Sequence, residues 1–555
     1  MTALLTDNLP LLAGAPNGIK KLRELILELA VRGKLVPQDP SDKPASELLN
    51  NIAKEKKLLI ENKTIRKGKP LPGIEQDEMQ FKLPIGWEWV RLGQIGDWGA
   101  GATPARGKSS YYGGEMPWFK SGELIADFIS DSEESVTELA LKECSLRRNK
   151  PGDVLIAMYG ATIGKTAILS VEGTTNQAVC ACTPFNGVFN RYLLLTLKAL
   201  KSNFIGQGAG GAQPNISREK IVVTVTGLPP LAEQHRIVVK VDELMALCDR
   251  LEAQQADAES AHAQLVQALL GSLTQAADAD DFAASWQHLA DHFHTLFTTE
   301  LSIDALKQTL LQLAVMGKLV PQDPSEEPAS ELLKRIAKEK ARLVAKGKIR
   351  KTKQLPEITD NDKVASTPNG WESVRFGQVI ELISGQHLGP DEYFESTRDG
   401  AIPYLTGPAD FGETYPRPTR FTNERRATSI KGDILLTVKG AGVGKTNFVD
   451  QDEFAISRQL MAIRPIIVDA QFARNMLLSM SAHFHSKSIG IAIPGISRED
   501  VLDTLIGIPP LPEQHRIVAK VDQLMALCDQ LKIRLTQARQ LNEQLTTVLV
   551  EQAVA

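Results

Sequence analysis

Cysteine is scarce in this chain. Its 555 residues include five, Cys144, Cys180, Cys182, Cys248 and Cys528. The number is odd and no two stand in a CxxC spacing, which argues against a zinc site and fits a reducing cytoplasm. Aromatic residues are also few, at 5%. No uninterrupted apolar run is long enough to span a bilayer, so no membrane partner is expected. The opening "MTALLTDNLPLLAGAP" lacks the basic region followed by an apolar core that marks a signal peptide. Net charge is −4. There is thus no global basic field, and any nucleic-acid surface has to be local. Chemical motifs are missing too: no GxSxG, no HExxH and no nuclease-type cluster of carboxylates and lysine. Pro229-Pro230 and Pro509-Pro510 follow leucine and isoleucine, where an amino-methyltransferase needs a polar residue before the pair and an aromatic after it. The chain shows no catalytic constellation, and no cofactor or metal is expected on it.

What is present begins with an imitation. "VKGAGVGKTNF" (438–448) suggests a phosphate-binding loop. Only three residues separate Gly440 from Gly444, where that loop needs four, and no helical period follows to place a helix N-terminus at a phosphate. Residues 158–168, "MYGATIGKTAI", repeat the spacing at Gly160 and Gly164. Both copies follow strand-like runs, "GDVLIAM" and "GDILLTV". Strand, glycine turn, strand predicts a hairpin. A structural turn is as good a reading of Lys165 and Lys445 as a phosphate contact.

The recurrence extends over the whole chain. "GLPPLAEQHRIVVKVDELMALCDRL" (227–251) and "GIPPLPEQHRIVAKVDQLMALCDQL" (507–531) share 20 of 25 positions. "LAVRGKLVPQDPSDKPASELLNNIAKEK" (29–56) and "LAVMGKLVPQDPSEEPASELLKRIAKEK" (313–340) share 23 of 28. Between them the sequence has drifted but keeps landmarks: "GWEWVRLGQI" with "GWESVRFGQV", and "NISREKI" with "GISREDV". Each half reads as helical arm, variable globular domain, helical arm. A repeat of this size predicts pseudo-twofold symmetry within one chain.

After each Pro-Pro-Leu, apolar residues recur at steps of four and three: Ile237, Val241, Leu244, Cys248, Leu251, Ala258, Leu265, Leu269, with Gln255 and His262 interrupting, and Ile517, Val521, Leu524, Cys528, Leu531, Leu535, Ala538, Leu545, Leu549, with Asn542 at the one polar position. That is a coiled-coil seam, and its cysteines are small buried hydrophobes. The variable segments alternate short β-like runs with glycine-rich turns, which predicts mixed α/β domains. The expected fold is therefore mixed α/β: two globular domains separated by long antiparallel coiled-coil helices. The divisions are an N-terminal helical arm and basic linker (1–81), a first domain (82–226), a central spacer, bridge and linker (227–365), a second domain (366–506) and a C-terminal coiled-coil helix (507–555). Residues 272–303 have no counterpart in the second half and are expected to bridge the halves. The bridge's His288, His292 and His294 read as exposed helix residues rather than metal ligands.

Two divergent domains, each followed by "PPLAEQHRIVVKVDELMALCD" or "PPLPEQHRIVAKVDQLMALCD" and separated by arms carrying "GKLVPQDP", resemble the specificity subunit of a Type I restriction–modification enzyme. The resemblance covers nearly the whole chain. It implies that each variable domain is a target-recognition domain for one half of a bipartite double-stranded DNA sequence. It implies that the helical spacer fixes the gap and docks two methylation subunits, through which restriction subunits join. S-adenosylmethionine, ATP and magnesium then belong to those partners, in the cytoplasm. Residue types suited to DNA contact are Thr103, Arg106, Lys108, Tyr111, Tyr112, Trp118, Lys120, Asn176, Gln177, Gln213, Asn215 and Arg218 in the first domain. The second offers Gln386, His387, Tyr404, Arg458, Gln459 and Arg498. Spacer or docking residues are Ile237, Val241, Leu244, Leu251, Ile517, Val521, Leu524 and Leu531. The competing reading is a two-headed structural adaptor that does not read DNA.

Overall fold

The first arm helix, Gly18–Val31, ends at Gly33 in the left-handed conformation (φ 67°), and the matching helix, Glu300–Val315, ends at Gly317 (φ 69°). A Cβ at Gly33 would fall 2.4 Å from Pro84 Cγ and 2.9 Å from the Trp87 ring; at Gly317 it would fall 2.6 Å from Pro368 Cγ and 3.0 Å from Trp371. Both the dihedral and the close approach require glycine. This is why "GKLVPQDP" begins as it does in both halves. The structure is a computed structural model describing residues 9–208, 215–351, 355–359, 367–487 and 495–554. The chain divides into one unit of residues 1–258 with 538–555 and a second of residues 259–537.

In the first unit, the variable domain carries a five-stranded sheet in the order Gly96–Ala100, Val179–Pro184, Val154–Ala157, Thr166–Leu169, Phe128–Ile129. A smaller sheet joins Ser135–Val136, Tyr112–Phe119 and Thr174–Thr175. Successive side chains along a strand point to opposite faces. Val154, Ile156, Cys180 and Cys182 accordingly pack with Leu193, Leu194 and Leu197 of the Asn190–Ala199 helix, while Leu155, Ala157, Val179 and Ala181 pack with Phe119 and Leu169 on the other face. Burial on both faces explains the near-continuous apolar run "DVLIAM". It also pushes the Cys180 thiol up to about 12 and Cys182 well above the usual range.

The second unit repeats the plan with two four-stranded sheets. One runs Ile380–Ser384, Leu460–Pro465, Ile434–Thr437, Thr446–Phe448; the other runs Arg420–Thr422, Ile402–Leu405, Glu453–Ile456, Thr428–Ile430. The Ala470–Ser479 helix covers the first sheet through Phe472, Met476 and Leu477. Both glycine-turn stretches are hairpins: Ile156 pairs with Thr166 and Leu436 with Thr446, antiparallel. Gly160, Gly164, Gly440 and Gly444 all have positive φ.

Each variable domain is closed at its root by a two-stranded clasp. Glu88–Arg91 pairs with Val225–Leu228, and Glu372–Arg375 with Leu505–Ile508. Beside each clasp a tryptophan donates its indole N–H to the buried glutamate of the "EQH" motif, Trp87 to Glu233 and Trp371 to Glu513, both at 3.0 Å. Gln38 and Gln322 of the arms donate to the same carboxylates at 3.2 Å. The next residue, Gln234 or Gln514, accepts from the Phe189 or Asp469 N–H (2.8 and 2.9 Å) and donates to the Pro229 or Pro509 carbonyl (3.1 and 3.0 Å). The repeated motifs are thus the frame that holds each domain to its arm.

The long helices are Leu231–Gln275, 45 residues, and Leu511–Val554, 44 residues. In the first unit Ile237, Val241, Leu244 and Cys248 pack on Leu22, Leu25 and Leu29 of the arm, with Leu549 and Val550 against the same cluster. In the second unit Val266, Leu270 and Leu273 pack with Ile303, Leu306 and Leu310, alongside Cys528, Leu524 and Leu531.

The heptad seam needs a correction beyond its first turns. Residues 252–261 and 536–541 are exposed. Leu265 and Leu545, expected on the seam, are 52% and 45% exposed, and Val266 and Thr546 take the buried positions. Val266 follows Cys248, and Thr546 follows Cys528, by 18 residues. That is five turns at 3.6 residues per turn, so the buried face returns as on an ordinary α-helix, one residue later than a 3.5-residue repeat places it. The bridge contains helices Ala279–Asp291 and Phe293–Leu296, with His288, His292 and His294 exposed.

Candidate nucleic-acid interface

In each domain three loops meet at one rim and are stitched by backbone hydrogen bonds. The Met158 N–H donates to the Ala178 carbonyl (2.8 Å), and the Ile216 N–H donates to the Met158 carbonyl (2.9 Å). In the second domain Val438 donates to Gln459 (2.8 Å) and Ile496 to Val438 (2.9 Å). The strand leading into the rim is followed by Gly101 or Gly385, whose N–H donates to the Val179 or Leu460 carbonyl at 2.9 or 3.0 Å. The next residue, Ala102 or Gln386, donates to Thr175 or Ile456 at 3.0 or 2.9 Å. Isolated bridges join Tyr159 to Asn215 and Lys439 to Gly495. The backbone of the rim is therefore the same in both domains, and the side chains on it differ.

In the first domain Thr103 meets the Gln177 amide oxygen through its hydroxyl, and both residues are exposed. Asn176 is half-buried, its Oδ1 accepting from the Ala178 N–H at 3.1 Å. Arg106 lies 4.9 Å from the Tyr112 ring centre and 5.0 Å from that of Trp118, and is ion-paired to Glu134. Lys120 pairs with Glu133 at 2.8 Å and Glu134 at 3.1 Å. Lys108 pairs with Glu143 at 2.7 Å, and the Tyr111 hydroxyl donates to the same carboxylate at 2.7 Å. Hydrogen bonds from Arg106 and Lys120 hold the Glu134 carboxyl below its ordinary range; those from Lys108 and Tyr111 do the same for Glu143. The rim cations are thus already neutralised inside the domain. Tyr112 donates its hydroxyl to the Pro104 carbonyl at 2.6 Å. Asn215 and Arg218 are exposed beside the glycine hairpin, with Arg218 3.5 Å from the Trp98 carbonyl. Gln213 lies outside the described residues.

In the second domain Gln386, His387, Arg458 and Gln459 are exposed around the stitched loops, and Arg498 donates to Ser384 Oγ at 2.7 Å. Three aromatic residues expected at the surface are instead beneath it. Trp118 is 1%, Tyr404 3% and Tyr111 8% exposed. Trp118 donates its indole N–H to the Ala102 carbonyl at 3.1 Å, and the Tyr404 ring lies tilted against Tyr393, centres 5.7 Å apart. Large rings on a small sheet are buried wherever the sheet allows it, and these three pack under the loops.

The residues expected in the spacer lie in the apolar clusters of the arms. Ile237, Val241, Leu244, Ile517 and Val521 are buried within their own units, and Leu251, Leu524 and Leu531 are half-buried there. Sequence reading passed over Glu134 and Glu143, because ion-pair partners 28 and 35 positions away leave no local signal. Among the described residues no group of three or more His, Cys, Asp or Glu side chains is placed to hold a metal ion, and no helix is long and apolar enough to cross a membrane.

Residues 84–259 and 368–540 each match the family described as Type I restriction modification DNA specificity domain. The chain is 37% identical over 563 residues to the Escherichia coli Type I restriction enzyme EcoAI specificity subunit, covering 97% of this chain and 94% of that one. It is 35% identical over 572 residues to the E. coli EcoEI specificity subunit, with the same coverage. A chain from a solved structure of type I R-M system assembly shares its fold, with a TM-score of 0.50 at 20% identity over 85% of this chain and 99% of that one. Two family domains on one duplicated frame, with full-length relatives of the same kind, establish that the chain belongs to the Type I restriction–modification specificity subunits.

Proposed function

We propose that each variable domain reads one half of a bipartite DNA target, and that the helical arms set the gap and dock two methylation subunits, through which restriction subunits join. Methyl transfer, ATP use and magnesium chemistry lie in those partners; this chain supplies the address, in the cytoplasm. One observation carries the reading. The two domains keep the same stitched rim, on the same Trp–Glu frame, while the side chains presented there differ: Thr103, Gln177 and Asn215 in one, His387, Arg458 and Gly495 in the other. A fixed backbone with changed side chains is what reading two different base sequences requires, since phosphate contacts position a protein and base-edge contacts specify.

The DNA-facing set on this reading is Thr103, Arg106, Lys108, Tyr112, Lys120, Asn176, Gln177, Asn215 and Arg218 with Gln386, His387, Arg458, Gln459 and Arg498. Exchanging residues 82–226 for the same segment of a relative tests it. In cells carrying the complete system, one half of the methylated sequence should change and the other stay. A change in both halves defeats independent reading. A complex with no salt-dependent affinity for duplex DNA would leave a structural adaptor instead.

A further inference from the structure

Residues Asn176–Val179 and Ser457–Leu460 form the same turn in the two domains. The Val179 N–H closes on the Asn176 carbonyl at 3.1 Å and the Leu460 N–H on the Ser457 carbonyl at 2.9 Å, the bond of a β-turn. The first side chain caps the turn from within: Asn176 Oδ1 accepts from the Ala178 N–H at 3.1 Å, and Ser457 Oγ accepts from the Gln459 N–H at 3.2 Å. The first residue is tied to the neighbouring sheet, Asn176 N–H to the Phe119 carbonyl at 3.0 Å and Ser457 N–H to the Leu405 carbonyl at 2.9 Å. A glycine lies against each turn so closely that a Cβ at Gly101 would fall 2.2 Å from the Thr175 oxygen, and one at Gly385 2.0 Å from the Ser457 oxygen.

The second position of this fixed turn carries an exposed side chain in both domains, Gln177 in the first and Arg458 in the second. Arg425 and Arg426 are ion-paired to Glu453 and Glu392, and Arg498 is hydrogen-bonded to Ser384. Arg458 makes no hydrogen bond or ion pair with any described residue. Gln177 meets only the hydroxyl of Thr103, itself an exposed loop residue. A rigidly held turn presenting one planar side chain with two hydrogen-bonding groups is the arrangement that bidentate base recognition needs.

We propose that this turn is the base-reading element of each domain, and that its second residue fixes one base pair per half-site: a guanine read by Arg458 and an adenine read by Gln177. The guanidinium fork matches the O6 and N7 acceptors of guanine, and the carboxamide matches the N6 donor and N7 acceptor of adenine, in the major groove. The assignment rests on the bipartite reading proposed above.

The test is the methylated motif in cells carrying the complete system, for the natural chain, Arg458→Gln, Arg458→Lys and Gln177→Arg, with thermal melts of each purified full chain to show that it folds. The half-site of the second domain should contain a G·C pair whose discrimination falls about tenfold or more in Arg458→Gln. Arg458→Lys, which keeps the charge but lacks the fork, should relax the same pair. Gln177→Arg should move one pair of the other half-site from A·T towards G·C. Each change should leave the opposite half-site intact. An unchanged motif, an even loss of methylation at all sequences in both Arg458 variants, or a change in both half-sites overturns the assignment. The exchange of 82–226 separates the two levels. If that exchange alters one half-site and the point variants do not, only the turn assignment fails; if it alters both or neither, the bipartite reading fails.

Discussion

The Trp87 indole N–H reaches the Glu233 carboxylate at 3.0 Å across 146 positions of sequence, and Trp371 repeats the bond to Glu513. Each glutamate is 1% exposed, and burial pushes both carboxyls above their ordinary range. The bond joins the root of the variable domain to the start of the long helix, so it fixes that domain on its arm. Glu233→Ala leaves the Trp87 and Gln38 donors without their acceptor in a buried site, which should cost about 2–3 kcal/mol. Denaturant unfolding of the full chain measures it, and a loss below about 0.5 kcal/mol would contradict the role given to the pair.

The same site gives a pH dependence. A raised folded value means that the folded chain binds the Glu233 proton more tightly than the unfolded chain does. The linked contribution to stability is therefore fully present below the unfolded value, about 4.3, and is lost as pH rises through the higher folded value. Glu233→Gln cannot titrate there. The deficit of that variant relative to the natural chain should be largest in acid and shrink as pH rises to neutrality. A deficit that grows over the same range would give the shift the opposite sign.

Glu134 sits between Arg106 and Lys120 and is held below its ordinary range by them. Glu134→Gln should free Arg106 for phosphate and leave Lys120 paired with Glu133 alone. On the reading that the first domain binds DNA, non-specific affinity should rise and the salt dependence steepen by about one counterion. Because the carboxyl already titrates below its usual range, the natural chain's affinity should show no step from this group between about pH 6 and 8. Titration of a non-target duplex over a salt series measures the first effect, and an unchanged slope would show that these cations do not face DNA.

The frame was legible in the sequence because its constraints are local and occur twice. Gly160 and Gly164 turn a hairpin, Gly440 and Gly444 turn its counterpart, and the near-identical "PPL-EQHR" runs open the two long helices. Cys248 and Cys528 are buried at 0% and 5% exposure, as the seam predicts. The rim was less legible. Whether Trp118 or Tyr404 faces outward depends on which neighbours cover it, and those neighbours come from distant strands. Whether Arg106 is free depends on Glu134, in another strand connection. The seam was misread past Cys248 because a heptad count and a 3.6-residue helix part company after a few turns.

The exchange of helix ends makes a prediction about truncation. In the first unit Lys21 donates to Thr547 at 3.0 Å, and Leu549 and Val550 pack against the cluster of Ile19, Leu22 and Ile26. In the second unit Val266 and Leu270 pack against Ile303, Leu306 and Leu310. By the repeat, Val266 and Leu270 stand where Thr546 and Val550 stand, and Ile303 and Leu306 where Ile19 and Leu22 stand. A fragment of residues 1–275 loses the helix end that covers its own arm. It retains an equivalent end that has lost its arm. Two copies can satisfy each other by placing Val266 and Leu270 of each on Ile19 and Leu22 of the other, a reciprocal exchange that closes as a twofold dimer. Burying the exposed apolar area favours this by about 25 cal/mol per Å². Sedimentation should show a dimer that dissociates when Val266→Asp and Leu270→Asp are introduced together. With the methylation subunit present, the dimer should direct methylation to a symmetric site built from one half-site and its inverted repeat, because the symmetry of the DNA follows that of the protein. A fragment that stays monomeric, or an asymmetric methylated site, would show that the two helix ends are not interchangeable.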